Sequence, residues 1–231
     1  EHGRVKGLSQ WVIDGGDLLT GANYVRAIQV RSATLYTAAR ATRGRPLMRR
    51  LCDANCGQVE TLAHILQVCD RSAAARSDRH NRAVDFLTDT WRKQGYTVRL
   101  EPAISTSLGG RRPDMVVYKE GVAAMVTDMT ILADHADLDF GHRSKVQKYD
   151  TPEVRAFVSE LSGVPAAEVH FSAVAFNWRG ALSRASAKDL ALWGVTRPQL
   201  EVLSVRILEM GYRIYSKWKC STWRKPRGSR T

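Results

Sequence analysis

Two groups of residues in this sequence could do chemistry. The first is Cys52, Cys56, His64 and Cys69, spaced C-x3-C-x7-H-x4-C. Thiolates and an imidazole are the soft and borderline donors that zinc takes in a tetrahedron. The short first gap lets two thiolates grip an ion from one turn. His64 and Cys69 fall about a helical turn apart near the end of residues 60–68, where Leu62, Ile65 and Leu66 offer a small core. Four protein donors leave no open position, so such a zinc site would be structural. The fourth cysteine, Cys220, stands far from the others and reads as a free thiol.

The second group begins with Arg112-Pro113-Asp114 and continues, after thirteen residues, with Asp128. The segments around both acids are β-rich, and adjacent strands can bring two carboxylates together. Facing carboxylates repel, and a divalent cation relieves the repulsion. Magnesium takes one or two carboxylates, water and phosphate oxygens, and it can activate water for phosphodiester hydrolysis. Asp128 also interrupts an apolar run from Val122 to Leu132. Burying it there unpaired would be costly. Lys145, Lys148 and Tyr149 follow at helical spacing and share one face at ~3.6 residues per turn. One of these lysines could orient the attacking water or offset developing charge.

The elements that must position these residues are legible in part. Apolar spacing predicts a helix over 21–42 and an amphipathic helix over 78–94, with Val84, Leu87, Thr88 and Trp91 on one face. Ser77 or Asp78 is the expected cap of the latter. The period then changes. Strands are expected over 96–100, 115–118 and 123–131, with Lys119-Glu120-Gly121 as a hairpin turn. A long helix over 142–162, a strand over 169–176 and helices over 184–193 and 197–216 follow. The stretch 105–110 reads as a flexible, exposed connection without chemistry. The fold class expected is α/β with a mixed sheet.

Composition agrees with a folded polyanion binder. The chain has 231 residues, 44% hydrophobic and 25% charged, and a net charge of +12. No apolar run approaches the ~18–20 residues that span a bilayer, so no membrane partner is expected. Without an initiator Met or signal pattern, it reads as an intracellular piece of something longer. The cations concentrate in two acid-free clusters. One holds Arg31, Arg40, Arg43, Arg45, Arg49 and Arg50; the other holds Lys217, Lys219, Arg224, Lys225, Arg227 and Arg230, interleaved with Trp218 and Trp223. Such clusters can release counterions from phosphates, and the aromatics could stack on bases.

Taken together, the C-x3-C-x7-H-x4-C knuckle, Arg112-Pro113-Asp114-x13-Asp128 and Lys145-x-x-Lys148-Tyr149 resemble the C-terminal part of site-specific non-LTR retrotransposon proteins. The nearest group is the R-two clade, which inserts into ribosomal RNA genes. The run from Glu60 to Cys69 and the step Arg79-His80-Asn81 are also similar. The resemblance implies a helical linker over 1–46, a CCHC zinc knuckle over 47–72, a restriction-like endonuclease of the PD-(D/E)xK type over 73–216 and a basic tail over 217–231. It implies structural zinc on Cys52, Cys56, His64 and Cys69, and catalytic magnesium on Asp114 and Asp128. The superfamily's Asp-x-Lys would place a lysine at 130, where this chain has Thr130. In the retrotransposon branch the lysine comes from the next helix, which fits Lys145 or Lys148, with Tyr149 and Arg112 in support. Arg40, Arg43, Arg45, Arg49, Arg50, Arg112, Lys217, Lys219, Arg224 and Lys225 are the expected nucleic-acid contacts. The implied activity is nicking of target DNA to give a 3′-hydroxyl that primes reverse transcription of element RNA. The implied setting is nuclear, with the polymerase in the same polypeptide. The competing expectation is a non-catalytic zinc-containing module that positions DNA or RNA.

Overall fold

The computed structural model describes residues 8–14, 18–45 and 50–222. A short helix α1 (Trp11–Asp14) precedes α2 (Gly21–Arg31), α3 (Ala38–Ala41), α4 (Leu62–Gln67) and the long α5 (Ala73–Lys93). Then come β1 (Thr97–Leu100), β2 (Met115–Lys119) and β3 (Ala123–Leu132), followed by α6 (Leu138–Tyr149) and α7 (Pro152–Ser162). The chain closes with β4 (His170–Asn177), α8 (Arg184–Leu192) and α9 (Arg197–Thr222).

The four strands form one mixed sheet in the order β1-β2-β3-β4. β1, β2 and β3 are antiparallel neighbours, while β4 lies parallel to β3 after the α6–α7 crossover. Alternation sorts their side chains onto two faces. Met115, Val117, Met125, Met129, Val174 and Phe176 pack under α5, α8 and the first half of α9, with Leu87, Trp91, Leu190 and Leu203. Val116, Ala124, Val126 and Phe171 face the other way, against Tyr149, Val154 and Val158 of α6 and α7. A further core joins α2, the Cys/His segment and the second half of α9 through Val30, Ile65, Leu66, Leu208 and Ile214.

Four expected helices differ from those observed. The helix over 21–42 stops at Arg31, because Ser32 Oγ turns back onto Ile28 O (2.7 Å) and Ala33 takes a left-handed φ of 54°. Thr37 then caps the separate α3. The helix over 142–162 is two helices. Pro152 lacks the N–H a continuous helix needs, and Thr151 caps α7 instead. The basic segment beginning at 217 is not wholly a tail, since α9 runs on to Thr222. α5 also starts earlier, at Ala73, so neither Ser77 nor Asp78 caps it. The connection over 105–110 is tied down: Glu153 Oε1 accepts from Ser107 N (2.9 Å) and Oγ (2.5 Å). Among the described residues no helix is long and apolar enough to cross a membrane.

α6 matters most for the site. Asp137 caps its start, and Gly141 lets it approach β3, where a Cβ would run into Leu132 Cδ1. His142 anchors it to α8 through Asp189 (2.8 Å), which Ser172 of β4 also supports (2.9 Å). Burial alone would raise the Asp189 carboxyl, but hydrogen bonds from His142 and Ser172, with the His170 imidazole 3.8 Å away, outweigh it and hold the carboxyl well below its ordinary value. A lowered carboxyl stabilises the fold above its unfolded value of ~4, and that stability drains as pH falls toward the folded value. Asp189→Asn should therefore lower the melting temperature at neutral pH and flatten its decline below pH ~4. Melting curves from pH 7 to 3 check this, and an unchanged acid slope would remove the anchor role.

Candidate functional site

Asp114 and Asp128 sit at one end of the β2–β3 pair. Met115 pairs with Thr127, so one step further along the antiparallel register sets Asp114 opposite Asp128. Asp128 is 3% exposed on the α6 face of the sheet. Its Oδ2 meets Lys145 Nζ at 2.6 Å, and its Oδ1 accepts from Tyr149 Oη at 2.7 Å. The tyrosine hydroxyl has one proton. The shorter contact, to the carboxylate, takes precedence over its 3.1 Å approach to Arg112 O. Burial and the neighbouring Asp128 push the Tyr149 phenol up, so it stays a donor. Asp128 therefore does not face solvent.

Asp114 is held from a different direction. Its Oδ2 accepts from Met129 N at 2.6 Å and lies 3.0 Å from His80 Nε2. The hydrogen bond with Asp114 raises the His80 imidazole to about 9 against the effect of burial. Among the described residues Asp114 Oδ1 accepts no hydrogen bond, which leaves one carboxylate oxygen for a ligand. His80 comes from α5 and was not among the residues expected to do chemistry. The signal for it was present: His80 precedes Val84 by four residues and Leu87 by seven, extending the buried face of α5.

Of the two lysines, Lys145 reaches the carboxylate. Lys148 Nζ turns instead to Tyr149 Oη (3.1 Å) and stands 4.7 Å above the Tyr149 ring. The Arg112 guanidinium pairs with Glu101 and is largely exposed, while its carbonyl lies beside Tyr149.

The Cys/His donors converge. Ligand atoms of Cys52, Cys56, His64 and Cys69 all lie within 4.8 Å of one another, and this is the one such cluster of three or more among the described residues. Cys52 Sγ and Cys69 Sγ are 3.9 Å apart, and Cys56 Sγ is 3.2 Å from His64 Nε2. These separations suit the edges of a tetrahedron with ~2.3 Å metal–sulfur bonds. Burial pushes the Cys52 thiol up to about 12 and His64 down. Without an ion the buried thiol stays protonated; a bound metal would displace the proton. The group could thus hold a metal such as zinc. Thr61 caps α4 at His64 N (3.0 Å), and Glu60 braces the loop through Ala38 N (2.8 Å) and Asp53 N (3.0 Å).

The expected nucleic-acid residues divide three ways. Arg40, Arg43, Arg45 and Arg50 are exposed on the α3 side of the Cys/His segment. Lys217 and Lys219 are exposed on α9, with Lys219 Nζ 4.5 Å above the Tyr36 ring. Arg49, Arg224 and Lys225 lie outside the described residues, as does Trp223. Trp218 departs from expectation: it is 3% exposed in the core beside Tyr215, so it cannot stack on a base. The apolar face of α9 claims it, because residues 214, 215 and 218 recur at helical spacing.

No family model matches the chain. It is 32% identical over 199 residues to the Retrovirus-related Pol polyprotein from type-2 retrotransposable element R2DM of Drosophila melanogaster, covering 86% of this chain and 19% of that protein. It is 32% identical over 179 residues to the Pol polyprotein from type-1 retrotransposable element R2 of Bradysia coprophila, covering 77% of this chain and 20% of that one. The corresponding R2 protein of Nasonia vitripennis is 27% identical over 219 residues, 94% of this chain and 21% of its own length. The chain thus spans about a fifth of the length of these homologues.

Proposed function

We propose, from this homology to retrotransposon Pol polyproteins, that the chain is a metal-dependent DNA endonuclease domain on a sheet of the PD-(D/E)xK type. The observation that carries the reading is that Asp114, just before β2, rests its carboxylate on Met129 N of β3, while Asp128, the preceding residue of β3, meets Lys145 of the following helix. The donor set fits a hard cation: two opposed carboxylates, one buried and one with an unused oxygen. Magnesium on Asp114 and Asp128 would supply Lewis-acid polarisation of the phosphate and a more acidic water.

The chain's own residues do the rest. Lys145 places an ammonium at the carboxylate edge, where it offsets charge developing on the scissile phosphate. Tyr149 fixes one oxygen of Asp128, and His80 with Met129 N fixes Asp114. Water attacks phosphorus, the P–O3′ bond breaks, and the departing oxygen takes a proton to become a 3′-hydroxyl. In the full-length protein that hydroxyl primes reverse transcription of element RNA by the polymerase portion, in the nucleus, at a ribosomal RNA gene. Zinc on the Cys/His segment is structural, and the flanking arginines bind the nucleic-acid backbone.

The test is nicking of supercoiled plasmid. Wild type is expected to give open circles with magnesium and none with EDTA, and Asp114→Ala is expected to give none in either. Open circles from Asp114→Ala at the wild-type rate would contradict the catalytic assignment, and a wild type that gives none with magnesium would leave the non-catalytic reading, in which the zinc-containing module positions DNA or RNA.

A further inference from the structure

A buried positive charge between the Cys/His segment and the carboxylates has no counterion. Arg79 on α5 is 2% exposed. Its Nη2 donates to Leu66 O (3.2 Å) and Gln67 Oε1 (2.6 Å). Its Nε and Nη1 are buried with no hydrogen-bond partner, and among the described residues no carboxylate pairs with it. Guanidinium groups are rarely buried without an anion, because desolvation is costly. Burial lowers Arg79 to about 10, which leaves it cationic at neutral pH. Half-buried Arg76 stands nearby and adds to the positive field.

Arg79 lines an open depression of about 340 Å³ together with Gln67, Arg76, His80, Asn81 and Ile131. No lining residue of it is acidic. His80 and Asn81 also line an adjoining depression of about 390 Å³ that contains Asp114 and Arg112. The two hollows therefore meet at His80. One side holds an uncompensated guanidinium, and the other holds Asp114, with Asp85 and Glu101 further along its wall.

We propose that the Arg79 hollow seats a backbone phosphate of the DNA strand, next to the phosphate presented to Asp114 and Asp128. Arg76 and Asn81 supply contacts at its surface, and Arg79 supplies the charge beneath them. The choice of DNA strand rests on the nuclease reading; the affinity for a phosphodiester does not.

The experiment is equilibrium binding of the whole chain to a short DNA duplex over a salt series, with no magnesium added. Arg79→Met and Arg76→Gln are each expected to weaken binding at least ~10-fold at low salt. Each should also reduce the slope of log K against log salt by ~0.9, the loss of one phosphate contact. Arg79→Lys should restore most of the slope. Bound zinc and melting temperature report folding, and if Arg79→Met does not fold, Arg76→Gln decides. Wild-type affinity and slope in a folded variant would overturn the phosphate seat. A wild type that never nicks plasmid while Arg79→Met loses the slope would sink the nuclease reading and keep the seat. Nicking together with unaltered binding would do the reverse.

Discussion

Asp128→Asn is expected to lower plasmid nicking by roughly 10²- to 10³-fold, the scale seen when one preorganised charge-stabilising group is removed. The amide keeps the shape of the side chain and removes its charge. Asp128 is 3% exposed and gripped by Lys145 Nζ at 2.6 Å and Tyr149 Oη at 2.7 Å, so it has little room to move and no other group takes its place. Stability should fall by about 1–3 kcal/mol, as the Tyr149 hydroxyl loses a charged acceptor. The lysine, about a third exposed, can turn to water. Urea denaturation measures the stability change beside the nicking assay. Lys145→Met should lose activity to a similar degree and Lys148→Met far less, because Lys148 meets Tyr149 and not the carboxylate. Equal losses from both lysines would contradict the assignment, and so would wild-type nicking by Asp128→Asn.

Stripping the metal from the Cys/His group, or replacing His64 by alanine, should have the largest structural effect. Structural zinc contributes ~10–16 kcal/mol of apparent binding energy in small modules, comparable with the ~5–15 kcal/mol that holds a whole domain. Here the site is also a corner of a larger core. α4 has six residues and packs Leu62, Ile65 and Leu66 into the same cluster as Val30, Leu208 and Trp218. Losing the ion would loosen α2 and the far half of α9 as well. Chelation should release one zinc per chain and lower the melting temperature by well over ~10 °C, read by a colorimetric zinc indicator and circular dichroism. An unchanged melting curve after complete chelation would show that the cysteines are only core residues.

The sheet was the most legible part of this chain, since the β-rich, nearly unbroken apolar runs over 115–118 and 123–131 report directly on two-sided burial. Helix breaks were less so. Apolar spacing runs on through Ser32-Ala33 and through Asp150-Thr151-Pro152, and only local backbone terms end the helices there. The paired carboxylates could be found from their chemistry, because Asp128 is an unaffordable charge in an apolar strand. The choice between Lys145 and Lys148 could not, since both lie on one helical face and side-chain reach decides. His80 stayed hidden because its partner, Asp114, is 34 residues away and meets it only through the packing of α5 on the sheet.

α9 touches both major cores along its 26 residues: Leu200, Leu203 and Ile207 lie against the sheet, and Val205, Leu208, Ile214, Tyr215 and Trp218 against the Cys/His segment. A shortened chain beginning at residue 73 would keep His80, Asp114, Asp128 and Lys145 yet strip the cover from half this rod. Its bare aromatic flank would invite self-association, so the smallest well-behaved piece has to start upstream of α2.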